Sequence, residues 1–183
     1  MLSKDEQSEL LTIARRAVEG VIHETPMAPI TFSGGGLASP GGAFVTLRRN
    51  GELRGCIGYI ESPLPVAQVV AEVAVKAAYE DPRFPPVSQD EVRELVFEVS
   101  VLSPLRRVSD IGSIRVGEHG LVLEFEGGRG LLLPQVAREH GWTREEFLNN
   151  TARKAGLTAE AWKDPHAMLY VFSAKVFHEE RIG

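Results

Sequence analysis

The chain has 183 residues, 43% of them hydrophobic and 25% charged, and carries a net charge of −5 at neutral pH. That length supports one sizeable core, or a main body with a smaller lobe, and the acidic balance excludes a global basic field that would recruit nucleic acid or anionic lipid. One cysteine excludes an internal disulfide framework, and no apolar run approaches the roughly 18 residues of a membrane helix, so a cytoplasmic globular protein is expected.

The N-terminal MLSKDEQSEL is polar and acidic, unlike the basic-then-apolar pattern of a secretory signal. Ser3 followed by Glu6 is a capping-box pattern, and Leu10, Ile13, Ala14, Ala17, Val18 and Val21 recur at helical spacing. One amphipathic helix is expected from Lys4 to Ile22. From His23 to Gly42 the chain turns Pro/Gly-rich, with Pro26, Pro29, Gly34 to Gly36 and Pro40 to Gly42. It reads as a long flexible loop; its glycines lack the order of a phosphate cradle.

AFVTLRR and ELRGCIGY flank Asn50-Gly51, the strongest short signal for a two-residue hairpin turn. A regular register from that turn sets Arg49 opposite Glu52, Leu47 opposite Arg54 and Val45 opposite Cys56. Cys56 and Arg54 then share a sheet face with Val45 and Leu47, and cover is expected on both faces. A helix is expected from Ser62-Pro63, with Gln68, Glu72, Lys76 and Glu80 as its narrow polar line; Asp81-Pro82 ends it. Ser88 with Glu91 predicts a short capped helix, and Leu95 to Ser103 reads as a central strand.

Strands are expected over Ile114 to Val116, Leu121 to Phe125 and Leu131 to Leu133. Pro134 starts a helix ending near Gly141, and Thr143 with Glu146 caps another that Gly156 stops. A short helix from Thr158 to Trp162 precedes a last strand, Ala167 to Phe177. No repeat or linker divides the chain, which reads as one α+β domain over residues 1–183 with a mostly antiparallel sheet flanked by helices.

Taken in order, Leu53 to Gly58 (LRGCIG), Asp81 to Phe84 (DPRF), Glu98 to Pro104 (EVSVLSP), His119 to Leu121 (HGL), Leu132 to Ala137 (LLPQVA), Gly141-Trp142 and Lys154 to Leu157 (KAGL) resemble the AMMECR domain over nearly the whole chain. The resemblance implies a larger and a smaller lobe with the hexapeptide beside a cleft between them. It also implies association with Memo-like and radical-SAM proteins, beside which similar proteins are often encoded. Many prokaryotic members carry a second cysteine just before the KAGL stretch, where this chain has Thr151. A mechanism needing two family cysteines lacks one of them here.

Cys56 is a nucleophile if a neighbouring cation or base lowers its pKa, and a packing residue if buried among apolar neighbours. Arg54, flanked by Gly55 and Gly58, suits a carboxylate or phosphate, or else a salt bridge to Glu98, Asp81 or Glu61. His119, between Glu118 and Gly120, suits general acid-base work or a simple turn hydrogen bond. Asp81 and Arg83 read as a charged pair or as turn chemistry with Arg83 on the last helix carbonyls. The candidate site is thus Cys56 and His119 for chemistry, with Arg54, Gly55, Gly58, Arg83 and Glu98 for binding. No His or Cys spacing points to a metal, and the cofactor is left open. Two functions are consistent with this set: a cleft for a small anionic or nucleotide-like ligand, with or without catalysis, and a non-catalytic accessory subunit.

Overall fold

The structure, a computed structural model, describes residues 2–25 and 29–180; Pro26 of the expected loop lies outside them. The fold is α+β, and the strand pairs whose register is described are antiparallel. The described residues divide into two compact units, one of residues 2–25, 29–102 and 175–180 and one of residues 103–174. Among the described residues no helix is long and apolar enough to cross a membrane.

In the first unit, helix α1 (Lys4–Ile22) begins at the expected capping box: Ser3 Oγ accepts from Glu6 N–H, and the Glu6 carboxylate accepts from Ser3 N–H. Leu10, Ala14, Ala17 and Val18 are buried, whereas Val21 at the end of the same stripe is 46% exposed. Strands β1 (Ala43–Arg49) and β2 (Glu52–Tyr59) form the hairpin, and β3 (Leu95–Leu102) pairs with the far side of β1. Asn50 and Gly51 both take positive φ, 53° and 85°, as a type I′ turn demands. Helix α2 (Val66–Tyr79) starts later than Ser62-Pro63 predicts, with Pro65 at its N-cap. Its valines and alanines pack with Val45, Leu47, Phe97 and Val99 into one core, and Gln68, Glu72 and Lys76 keep the narrow polar line. Each fully buried valine stabilises by roughly 1.5–3 kcal/mol relative to exposure.

The glycine-rich loop is not free. Residues 35–38 form a 3-10 turn around fully buried Leu37, Glu6 accepts from Gly36 N–H, and Glu9 accepts from both Ser33 N–H and its hydroxyl. The acidic first half of α1 supplies the acceptors that this polar segment lacks internally. Ser88 and Glu91 close only half a capping box, and the segment Val92–Glu94 is a 3-10 turn rather than a helix.

In the second unit, β5 (His119–Phe125) lies between β6 (Gly128–Leu132) and β7 (Met168–His178), and the short β4 (Arg106–Arg107) pairs with the other side of β7. Helices α3 (Pro134–Glu139) and α4 (Arg144–Lys154) pack Ala137, Phe147, Leu148 and Ala152 against Leu121, Leu123 and Val171. The Thr143–Glu146 capping box forms, and Gly156 stops α4 at φ 77°. Residues 114–116 are not a strand but a connection with one bridge from Val116 to His119, and Ala161–Lys163 is a 3-10 turn. β7 continues past this unit as residues 175–178, beside β3 in the first.

Candidate functional site

One residue reorganises the hairpin. Leu47 pairs with Gly55 and Arg48 with Leu53, so Arg54 is the extra residue of a β-bulge. A bulge shifts every residue beyond it by one place, and a shift of one moves a side chain to the opposite face. Val45 therefore faces Ile57, and Cys56 faces Thr46. The expected register, with Cys56 among Val45 and Leu47 on one face, is overturned. The residue that does face the helices is Gly55, where an added Cβ would stand 2.1 Å from the Ala77 carbonyl oxygen of α2. Glycine is required there because the helix backbone occupies the space of a side chain.

The opposite face is polar. Thr46 lies between Cys56 on β2 and Glu98 on β3, giving a Cys–Thr–Glu row across three strands. The Thr46 hydroxyl donates to Cys56 Sγ at 3.3 Å, and Glu98 pairs loosely with Arg48 at 3.8 Å. Cys56 is half-buried and the Glu98 side chain is 19% exposed. Helices α1 and α2 pack on the other face, yet Thr46 and Ser100 on this one are buried, 8% and 3% exposed, so this face too is screened from solvent there, as the sequence led one to expect. Gly58 lies under the ring of Phe44.

β2 stands at the end of the strand order, and side chains take the place of a neighbouring strand at Cys56. Its N–H donates to Asp81 Oδ2 at 2.9 Å, and its carbonyl accepts from Arg83 Nη2 at 3.4 Å. Asp81 is nearly inaccessible, its side chain 2% exposed, and it also accepts from Arg83 N–H, Nε and Nη2. The Arg83 guanidinium, joined by the two backbone N–H groups, holds the Asp81 carboxyl far below the usual carboxylate range. Arg83 itself is 54% exposed. Its sequence-expected role on the helix carbonyls is replaced by this clamp on the Cys56 backbone.

Arg54 does not pair with Glu98, Asp81 or Glu61. Its Nε and Nη2 donate to the two carboxylate oxygens of Glu91, at 3.0 and 3.1 Å, and the side chain is only 12% exposed. Glu91 also accepts from Arg49 and from Ser88 N–H and Oγ, and the Arg54 guanidinium chiefly draws its pKa down to about 2. Phe84 ties the two arginines together, with Arg54 and Arg83 at 5.9 and 5.5 Å from its ring centre. The DPRF and LRGCIG segments are thus one interlocked structure.

These features sit within a fold shared by known proteins. The AMMECR1 family model matches residues 11–177. The chain belongs to the AMMECR1 family. A relative from Methanothermobacter thermautotrophicus is 44% identical, covering 98% of this chain and 97% of its own; one from Thermofilum pendens is 42% identical over 97% and 92%. The crystal structure of an uncharacterized protein from Pyrococcus horikoshii superposes with a TM-score of 0.85 at 40% identity, over 93% of this chain and 90% of that one.

Of the expected site residues, this AMMECR1 chain gathers Arg54, Gly55, Cys56, Gly58, Arg83 and Glu98 in the first unit, while His119 belongs to the second. His119 accepts Arg115 N–H on Nδ1 at 3.1 Å, the turn hydrogen bond considered for it. Burial, then Arg115 and Arg106, lowers its pKa. Thr151 is fully buried and donates to the Phe147 carbonyl within α4. Among the described residues no three His, Cys, Asp or Glu side chains could hold a metal. Sequence reasoning missed Thr46 and Glu91. The lone polar residue in AFVTL was the available signal for Thr46; Glu91 was visible only as a capping residue.

Proposed function

We propose that the polar face of the first unit's sheet binds a small anionic or nucleotide-like molecule and presents the Cys56 thiol to it. The reading is carried by the bulge at Arg54, which puts Cys56 beside Thr46, in a row that ends at Glu98, instead of next to Val45 and Leu47. The Thr46 hydroxyl, donating to Cys56 Sγ, fixes where the sulfur points. Arg83, held in place by buried Asp81 yet half-exposed, is the cation for the ligand. Glu98 is an acceptor for ligand hydroxyls. Arg54, Gly55 and Gly58 act behind the site: Arg54 fixes the bulge through Glu91, and the glycines admit α2 and the Phe44 ring.

Paired alkylation tests this. Iodoacetate and iodoacetamide differ in charge but share one reaction, and the single cysteine makes the product unambiguous. Relative to free cysteine, the native protein should favour the anionic reagent about threefold or more at low salt, and R83Q should abolish that preference. Labelling only after unfolding would make Cys56 a packing residue. An unbiased thiol would remove the anion site. Either result would give precedence to the accessory role beside Memo-like and radical-SAM proteins that the family resemblance implies.

A further inference from the structure

The second unit concentrates positive charge that the reading above does not use. Arg106 and Arg107 on β4 are exposed, and among the described residues neither has an ion-pair partner. Val171 of β7 pairs with Arg106 on one side and Leu121 on the other, so β4 and β5 flank β7. His119 faces Ser173, two residues further along β7, and a two-residue step preserves the face. Arg106 and His119 therefore project from the same face, with Cα atoms about 12 Å apart from two strand spacings and two residue rises. An arginine side chain leaning along the sheet covers roughly half of that gap.

Arg115 approaches His119 from the connection before β5. Its N–H donates to His119 Nδ1, so the neutral ring carries its proton on Nε2 and offers it as a donor. The Arg115 guanidinium lies 3.2 Å from Glu118, in a pair whose side chains are 68% and 64% exposed; such pairs exchange readily with solvent. The charged groups acting on His119 are thus Arg115 and Arg106, opposed by Glu118, with Arg138 of α3 packed beside neighbouring Gly117. Burial and the two arginines hold His119 towards its neutral form, which donates without adding repulsion among the cations.

We propose that His119, Arg106 and Arg115 form a binding site for a phosphate-like oxyanion in the second unit. Three donors approaching from a strand end, from a strand two places across the sheet and from a loop suit an anion with three accessible oxygens better than a planar carboxylate. An anion there favours the protonated ring, so His119 itself reports occupancy.

The experiment follows the His119 Cε1–H resonance through a pH titration of the full chain, assigned by its loss in H119Q. Sodium phosphate is compared with chloride and acetate at constant ionic strength. In chloride the midpoint lies below the ordinary histidine value. Phosphate raises it saturably by about half a pH unit or more, and acetate does not. R106Q raises the midpoint in chloride and removes the phosphate response. A midpoint that all three anions move alike reflects screening and overturns the proposal, as does a full phosphate response in R106Q.

Discussion

Replacing Glu91 with glutamine leaves the Arg54 guanidinium 12% exposed with an amide where its carboxylate stood. The amide offers one acceptor oxygen and turns an NH2 group towards donors. Two routes give the cost. A carboxyl drawn from 4.5 to about 2 contributes about 3 kcal/mol at neutral pH, at 1.36 kcal/mol per pH unit. Breaking a mostly buried ion pair by removing one partner costs about 3–5 kcal/mol, and the 16% exposure of Glu91 favours the lower end. E91Q should therefore lose about 3 kcal/mol, or roughly 6–12 °C in Tm for a chain of this size. The folded-state pKa is depressed, so the contribution is complete above the unfolded value near 4.5 and fades as pH falls towards 2. Urea denaturation followed by far-UV circular dichroism at pH 7 and pH 3.5 measures both quantities. The gap between wild type and E91Q should shrink by about 1 kcal/mol at the lower pH. A gap under about 0.5 kcal/mol at pH 7, the ordinary range for surface substitutions, would refute the argument. So would a gap that does not narrow on acidification.

G55A places a Cβ 2.1 Å from the Ala77 carbonyl oxygen, and backbone must move to admit it. Overpacking of this kind should cost about 1–3 kcal/mol or more, read as a lower urea midpoint with native-like spectra. T46V removes the hydroxyl that donates to Cys56 Sγ at 3.3 Å. With the sulfur no longer held in one orientation, the Cys56 alkylation rate at pH 7 should change about threefold or more; an unchanged rate would separate Thr46 from the thiol.

Where local chemistry decides structure, the sequence was readable. Asn50-Gly51 forms its turn, the Ser3 and Thr143 capping boxes both close, and most valines and alanines of α2 are buried while Gln68, Glu72 and Lys76 stay on its wetter side. The ordered motifs also identified the family. The bulge was not readable, because alternation of side chains carries no mark where one extra residue enters, and LRG satisfies either register. That single insertion decided which face holds Cys56. Partner choice was also hidden: Glu91 lies 37 residues from Arg54, and its spacing from Ser88 already had a sufficient local explanation. The 3-10 segments Val92–Glu94 and Ala161–Lys163 are too short for periodicity to distinguish them from helix.

The division of the chain has a consequence for the order of its birth. The first unit takes residues 2–25 and 29–102 and then 175–180, and Arg15 in α1 fastens Glu179 beyond β7 through two 2.7 Å hydrogen bonds. The same Glu179 carboxylate accepts from Phe97 N–H on β3. A protein emerging from the ribosome usually folds its N-terminal part first. Here the part made first waits for its last strand, while residues 103–174, continuous in sequence, have all they need earlier. For the interval of synthesis between them, the exposed flank of β3 is an open edge, and Arg15 stands beside it without its carboxylate.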